Sequence, residues 1–365
     1  MKFSCIRSYF LNAASSVERI IEKNSTLPIL QNIFIKVEKG KTTLSTTNLE
    51  IGIHASFQSK ADEEGSFTVP AKTLLNFLMY VDTEKITVHT KGTNLIINAG
   101  SHKADIKGLD ATNFPIIPEI TESFSTSLPA EEFFSALSSL TFLSSMGDLR
   151  PELAGVFCSF EKNQLRMAAT DSFRLGEFIL KIPTPKKETT CIIPTRTVNE
   201  IIRLFTGAEA VTLKLSANQI LIKTQEKELI SRLIEEKYPD YTAVIPTSST
   251  TRTYLKREEF MQALRAASVF SGKTREVKIN IFPEEKKYII ESRNADIGEH
   301  KSEISCDGNG KNVTVSVNYQ YFLDALGKIS DEMISFENNN ETDPILLKGL
   351  AGAGPRYIIM PLRSY

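Results

Sequence analysis

Apolar residues in the first third of the chain follow two rhythms. Phe10, Ala14, Val17 and Ile21 recur at helical spacing and form one stripe. Residues 33–37, 42–46 and 51–57 alternate apolar and polar positions, as half-buried strands do. A second helical stripe covers 71–81, and strands follow at 85–90, 94–99 and 103–109. The pattern is strand, helix and strands, done twice. Helices that bury one stripe on antiparallel sheets and turn a polar face outward make an α+β layer.

The pattern returns about 124 residues later, and then again. Val69-Pro70-Ala71-Lys72 matches Ile193-Pro194-Thr195-Arg196, and Val317-Asn318-Tyr319-Gln320 follows one period on. The two prolines suit a first helical turn, where a missing N–H costs nothing. Phe114-Pro115 is answered by Tyr238-Pro239, and Thr47-Asn48-Leu49-Glu50 by Thr170-Asp171-Ser172-Phe173. Short strands feeding helices with early carboxylates recur at 124–133 and 253–260. The chain therefore reads as three similar domains, 1–122, 123–249 and 250–365, with polar, turn-rich seams.

Composition changes this picture little. A formal net charge of −1 carries no whole-molecule signal for nucleic acid, although a near-zero sum can hide segregated charge. Cys5, Cys158, Cys191 and Cys306 are far apart, and the four histidines are scattered, so neither a metal site nor a cofactor is expected. Reduced buried thiols fit a cytoplasmic protein. No apolar run approaches a membrane span, and the opening MKFSCIRSYF lacks a signal-like core. The glycine-rich run 349–355 precedes a strand-like segment, so it reads as a hairpin turn rather than a phosphate loop. Asp62-Glu63-Glu64 and Glu284-Glu285 read as solvated loops. No nucleophile, base or carboxylate pair stands out, so a non-catalytic protein is expected.

The polar helix faces offer Arg19 and Lys23, Lys72, Arg196 and Arg203, then Arg265 and Lys328. The helix near 131 offers Ser135, Ser138 and Ser139 instead. Each face alone reads as solvated. Lining one channel together, they would hold phosphates weakly and without sequence readout. Two apolar features remain. Thr170-Asp171 forms a turn common to the repeats, whereas Ser172-Phe173-Arg174-Leu175 has no counterpart and reads as a partner-binding wall. Near the C-terminus Pro361 ends a strand, so Met360 and Leu362 point off the sheet as an adaptable apolar surface.

Taken in order, Thr26-Leu27-Pro28-Ile29-Leu30, Thr170-Asp171-x-x-Arg174-Leu175, Tyr238-Pro239-Asp240-Tyr241 and Met360-Pro361-Leu362-Arg363 resemble the β subunit family of bacterial DNA polymerase III, the sliding clamps. Length and the threefold repeat match too. The resemblance implies a head-to-tail homodimer of six clamp domains, with helices lining a hole around duplex DNA and sheets outside. It implies a processivity factor rather than an enzyme. A clamp-loader complex would open the ring, and DNA polymerases and repair proteins would dock through Gln-Leu-x-Leu-Phe-like peptides.

The resemblance also implies a peptide groove walled by Arg150, Leu153, Thr170, Ser172, Phe173, Arg174 and Leu175. Pro239 and Val244 would continue it, and Ile358, Ile359, Met360, Pro361, Leu362 and Arg363 would complete it. The ring contact would pair Ala104 and Ile106 with Val269 and Phe270. The chain departs from the family's pattern in five places. Ser172-Phe173 replaces a usual Gly-His, Ala243 stands where a basic residue is common, Tyr365 extends the end, and Asn24 and Gly147 occupy loop positions that touch DNA elsewhere. The alternatives are a repeat-built peptide-binding scaffold that does not encircle DNA, and an enzyme acting at a domain seam.

Overall fold

The computed structural model describes residues 1–22, 27–121, 124–145, 149–352 and 354–362; Lys23, Asn24, Gly147, Arg363 and Tyr365 lie outside them. The chain forms two compact units, one of residues 1–131 with 200–233, the other of 132–199 with 234–365. The middle repeat thus contributes to both.

Six helices occur among the described residues, two per repeat: α1 (Arg7–Val17), α2 (Ala71–Tyr80), α3 (Ala130–Leu140), α4 (Thr195–Leu204), α5 (Arg257–Ser268) and α6 (Tyr319–Leu326). α1 buries Phe10, Ala13, Ala14 and Val17, then tightens into a 3-10 turn at Glu18–Ile20, so Ile21 lies beyond the helix. Pro70 and Pro194 each stand one residue earlier than expected, as the last residue of a strand. The extended backbone of Pro70 there ends the strand and directs the chain into α2. The third repeat uses Asn318, whose side chain accepts from the Gln320 N–H at 3.0 Å.

In the first unit a five-stranded sheet runs in the order Lys60–Glu63, Lys2–Ile6, Lys85–Lys91, Asn94–Ala99, His102–Lys107. An eight-stranded sheet joins two repeats by pairing Lys227–Arg232 antiparallel with Ile51–Gln58, Leu229 opposite Ile53. In the second unit a nine-stranded sheet joins two repeats the same way, Arg356–Ile359 against Arg174–Lys181, with Tyr357 opposite Gly176. A four-stranded sheet ends on Gly298–Ser305. Each junction thus sets the last strand of one repeat beside the strand that follows the Thr-Asx turn position of another. The two strands left over from this scheme, His102–Lys107 and Gly298–Ser305, are both sheet edges.

Apolar faces close over the sheets through aromatic clusters. Phe3, Phe10 and Phe57 meet in the first unit, and Phe260, Tyr288, Phe322 and Phe336 in the second. Asp62 and Glu63 prove to lie on an edge strand rather than a loop, because Lys60–Glu63 pairs with Lys2–Ile6. Ser139 is buried, not exposed: its hydroxyl bonds the Ala136 carbonyl at 2.7 Å, and its own carbonyl takes the Tyr357 hydroxyl at 2.8 Å. The glycine-rich run joins two antiparallel strands, Ile345–Gly349 and Arg356–Ile359, as expected. Among the described residues no group of three His, Cys, Asp or Glu is placed to hold a metal, and no helix is long and apolar enough to cross a membrane.

Candidate functional site

The site is built on the turn after strand Gln164–Thr170. Thr170 donates its hydroxyl to the Arg174 carbonyl at 2.8 Å and accepts from the Ser172 N–H at 3.1 Å. The Asp171 carboxylate accepts from the N–H groups of Phe173 and Arg174, both at 3.0 Å. Side chains close to the backbone in sequence thus satisfy it locally, as Thr and Asp do in turns. Ser172 is held at φ 79, the left-handed region, and Phe173 is 61% exposed. The Met360 N–H donates to the Phe173 carbonyl at 3.0 Å, which fixes the end of the last strand beside the turn.

Between these elements lies a cavity of about 220 Å³, lined largely by apolar atoms. Arg150, Leu153, Thr170, Ser172, Phe173, Arg174, Leu175, Pro239, Val244, Ile358 and Met360 line it, together with Asp240 and Tyr241. Most of the expected wall residues therefore converge. Ile359 does not: strand side chains alternate faces, and Ile359 is buried on the side opposite Ile358. Pro361 and Leu362 lie past the cavity, where the Leu362 N–H bonds the Ser316 carbonyl at 2.7 Å. The floor is a buried cluster that includes Leu153, Ala168, Leu175, Ile192, Leu346 and Ile358.

Arg174 does not present its charge to the cavity. Its guanidinium bonds Asp171 at 2.9 Å and Asp324 at 2.6 Å, and stacks against Phe142 and Tyr321. Burial opposes its charge, yet hydrogen bonds to Asp324 and Asp171 outweigh that and hold it more firmly protonated than usual. Arg174 is thus a strut between the turn and α6. The charge that faces the opening belongs to Arg150, half exposed and bonded to Ser172 Oγ at 2.9 Å and Glu152 at 3.2 Å.

Tyr241 forms one wall and connects it to a buried ionic group. Its hydroxyl donates to Glu177 Oε1 at 2.9 Å. Glu177, 1% exposed, also takes Arg356 Nε at 2.6 Å and Arg166 at 3.3 Å. Burial and the Glu177 carboxylate push the Tyr241 phenol well above its ordinary range, so it remains a donor at any working pH. Tyr238 stacks on Phe157 at 4.9 Å and meets Tyr241 edge-on.

The other expected residues are dispersed. Arg19, Lys72, Arg196, Arg203, Arg265 and Lys328 are all exposed, on or just after helices. α3 exposes Glu131 and Glu132, α5 exposes Glu258, and Arg203 is paired with Glu200. Burial and the nearby Arg19 cation lower the Arg203 pKa. Ala104 and Ile106 sit on the edge strand His102–Lys107, and Val269 and Phe270 follow α5. Sequence reasoning missed two exposed apolar residues at the end of α2, Met79 at 56% and Tyr80 at 85%. Their signal was present: they fall off the stripe of Ala71, Leu74 and Leu78.

Comparison with known proteins gives one answer along the whole chain. Family models described as the DNA polymerase III beta subunit N-terminal, central and C-terminal domains match residues 1–118, 127–240 and 242–363. A beta sliding clamp of Staphylococcus epidermidis is 25% identical, with all of both chains covered, and so is that of Staphylococcus aureus. A crystal structure of the DNA polymerase III beta subunit from Pseudomonas aeruginosa superposes with a TM-score of 0.96 at 25% identity, over all of both chains. The Bacillus subtilis sliding clamp has the same fold, with a TM-score of 0.95 at 24% identity and full coverage.

Proposed function

The chain belongs to the bacterial DNA polymerase III beta subunit family, the sliding clamps, and from that membership we propose that it forms a ring that encircles duplex DNA and tethers polymerases through the cavity beside Phe173. Its role is processivity, not catalysis. The observation that carries the docking half of this reading is the open apolar cavity where Phe173, Leu175, Ile358 and Met360 converge.

The cavity suits a Gln-Leu-x-Leu-Phe-like peptide. Burying one Leu or Phe side chain there is worth roughly 1.5–3 kcal/mol. Met360 adapts to the anchor's shape, and Arg150 meets the peptide's polar groups. DNA polymerases, repair proteins and the clamp loader would share this anchor. Pro361, Leu362 and Arg363 would extend the wall.

The helices would supply the DNA side. Arg19, Lys23, Lys72, Arg196, Arg203, Arg265 and Lys328 supply cations, diluted by the acidic residues between them. Lys72 and Arg265 are exposed. A diluted basic face attracts phosphates without fixing a register, which is what sliding needs. The ring itself would be a head-to-tail homodimer of three-domain chains, with seams near 122 and 249 and cytoplasmic residence. Ala104 and Ile106 would meet Val269 and Phe270 of a second copy, with Met79 and Tyr80 added to the apolar contact.

The test is retention on DNA after loading. A ring stays on closed circles and slides off linear ends. Equal retention on both forms would sink the encircling reading and favour a scaffold that binds by charge alone.

A further inference from the structure

The sheet face that floors the cavity beside Phe173 changes character one step along its strands. Leu175, Ile358 and Leu346 belong to the apolar floor. Alternate strand residues share a face, so the next row on that face is Glu177, Arg356 and Lys348, each opposite its neighbour. The row continues through Ser335 and Tyr254, with Glu337 opposite Arg252 beside it. A second cavity, of about 480 Å³, opens over this row. Tyr241 lines the first cavity and Glu177 the second, and the hydrogen bond between them marks the boundary.

Charge in this second cavity is layered. Lys348 stands directly opposite Arg356, and like charges so placed repel. Each turns to a different carboxylate: Arg356 Nε meets Glu177 at 2.6 Å, and Lys348 Nζ meets Glu337 at 2.9 Å, which Arg252 also bonds at 3.0 Å. Burial opposes the charge on Glu337, yet Lys348, Ser335 and Arg252 outweigh it and hold its carboxyl below the usual range. The side chains of Arg356, Lys348 and Arg252 remain 35%, 40% and 48% exposed, whereas Glu177 and Glu337 keep only 0% and 6%. The carboxylate at the rim, Asp331, is taken up by the Ala351 N–H at 2.6 Å. The surface met from outside is therefore positive, beside the exposed apolar Ile179 and Leu350.

Resting on the docking reading above, we propose that this second cavity is a subsite for an acidic flank of the docked peptide, whose Asp or Glu carboxylates settle between Lys348, Arg356 and Arg252. Continuity and charge both point to that occupant. From Ile358 the row of cations lies about 7 Å along the strand, and it reaches about 14 Å across the sheet to Arg252. Extended chain covers roughly 3.3 Å per residue, so acidic residues about three to five positions from the apolar anchor reach it. The buried carboxylates hold the cations in place beforehand, which lowers the cost of binding. A basic flank would meet three cations instead. The subsite thus sorts partners that share one apolar anchor, by attraction and by repulsion.

Calorimetry on the full chain with synthetic peptides tests this. All share a Gln-Leu-x-Leu-Phe core and carry a Glu-Glu-Glu, Gln-Gln-Gln or Lys-Lys-Lys flank, after the core in one set and before it in another. In one set the Glu flank should bind about 10-fold more tightly than the Gln flank at low salt, and the Lys flank more weakly than either. The net charge of −1 gives the whole chain no such preference. Lys348→Gln leaves Glu337 paired with Arg252; it should remove most of the Glu advantage and leave the Gln-flanked affinity unchanged. Lys348→Arg should keep the advantage, which a merely structural lysine would not require. Equal affinity for Glu and Gln flanks in both sets overturns the subsite and leaves the docking reading standing. A Glu advantage that survives Lys348→Gln puts the carboxylates elsewhere and also overturns it. A chain that binds none of the peptides overturns the docking reading and the subsite with it.

Discussion

At Thr47 and again at Thr170 the chain makes the same turn with the same hydrogen bonds. Thr47 donates to the Ile51 carbonyl at 3.0 Å and accepts from the Leu49 N–H at 3.0 Å, and Asn48 accepts from Glu50 and Ile51. Leu49 has φ 75, as Ser172 has φ 79. Even the neighbouring strand is tied alike: the Arg232 N–H meets the Glu50 carbonyl at 3.1 Å, the counterpart of Met360 and Phe173. The cavity described above is lined by the second of these turns. At the first, Ile117 lies against Gly52, so close that a Cβ on that glycine would sit 2.7 Å from Ile117 Cγ2. At the second, Leu175 stands in place of Gly52 and Tyr241 in place of Ile117. Tyr241 donates its hydroxyl to Glu177, where the first turn's strand has His54. The frame is common to both; what differs is the residue across from the turn, which at the second is tied by its hydroxyl to a buried carboxylate.

Four measurements would break or sharpen this contrast. Glu177→Leu strips Arg356, Arg166 and Tyr241 of a shared buried partner, and should cost about 3–5 kcal/mol in denaturant unfolding while abolishing peptide binding. His54→Leu, at the equivalent position, loses one hydrogen bond to Ser45 and should cost only about 1 kcal/mol. Equal losses would remove the asymmetry. Phe173→Ala should weaken a Leu-Phe peptide by about 1–3 kcal/mol in calorimetry with the fold intact. Glu50→Ala, its counterpart, should leave that affinity unchanged. Thr170→Val and Thr47→Val should each destabilise by about 1 kcal/mol, since the bracket is shared, but only the former should touch peptide affinity.

The smallest effect concerns pH. Burial lowers the His54 pKa, so the unfolded chain binds the proton more readily. Its contribution is complete above the unfolded value, about 6.5, and is lost as pH falls through the folded value. Melting of the first unit should therefore soften below that pH, and His54→Asn should flatten the slope. An identical slope in that variant would show that His54 is not the sensor.

Local chemistry was readable from the residues alone. The Thr-Asx turn encodes its hydrogen bonds within five positions, and the helical and alternating stripes needed only their own periods. What was not readable depends on partners far along the chain. Arg174 looked like a ligand anchor because Asp324, which occupies it, lies on another repeat. Tyr241 was visible only as part of a motif, since its role requires Glu177. Asp62 and Glu63 read as loop because an edge strand with charged residues carries no alternation. The boundary of the wall at Ile359 followed from strand parity, which sequence resemblance does not count.

One more property follows from the thiols. All four cysteines are free and buried. Burial pushes Cys5 up to about 12 and Cys306 up to about 11, and the hydrogen bond with Cys191, together with burial, raises Cys158 well above its usual value. Only a thiolate reacts quickly with a maleimide. The native chain should therefore stay dark toward such dyes at neutral pH, leaving its surface free for engineered labels.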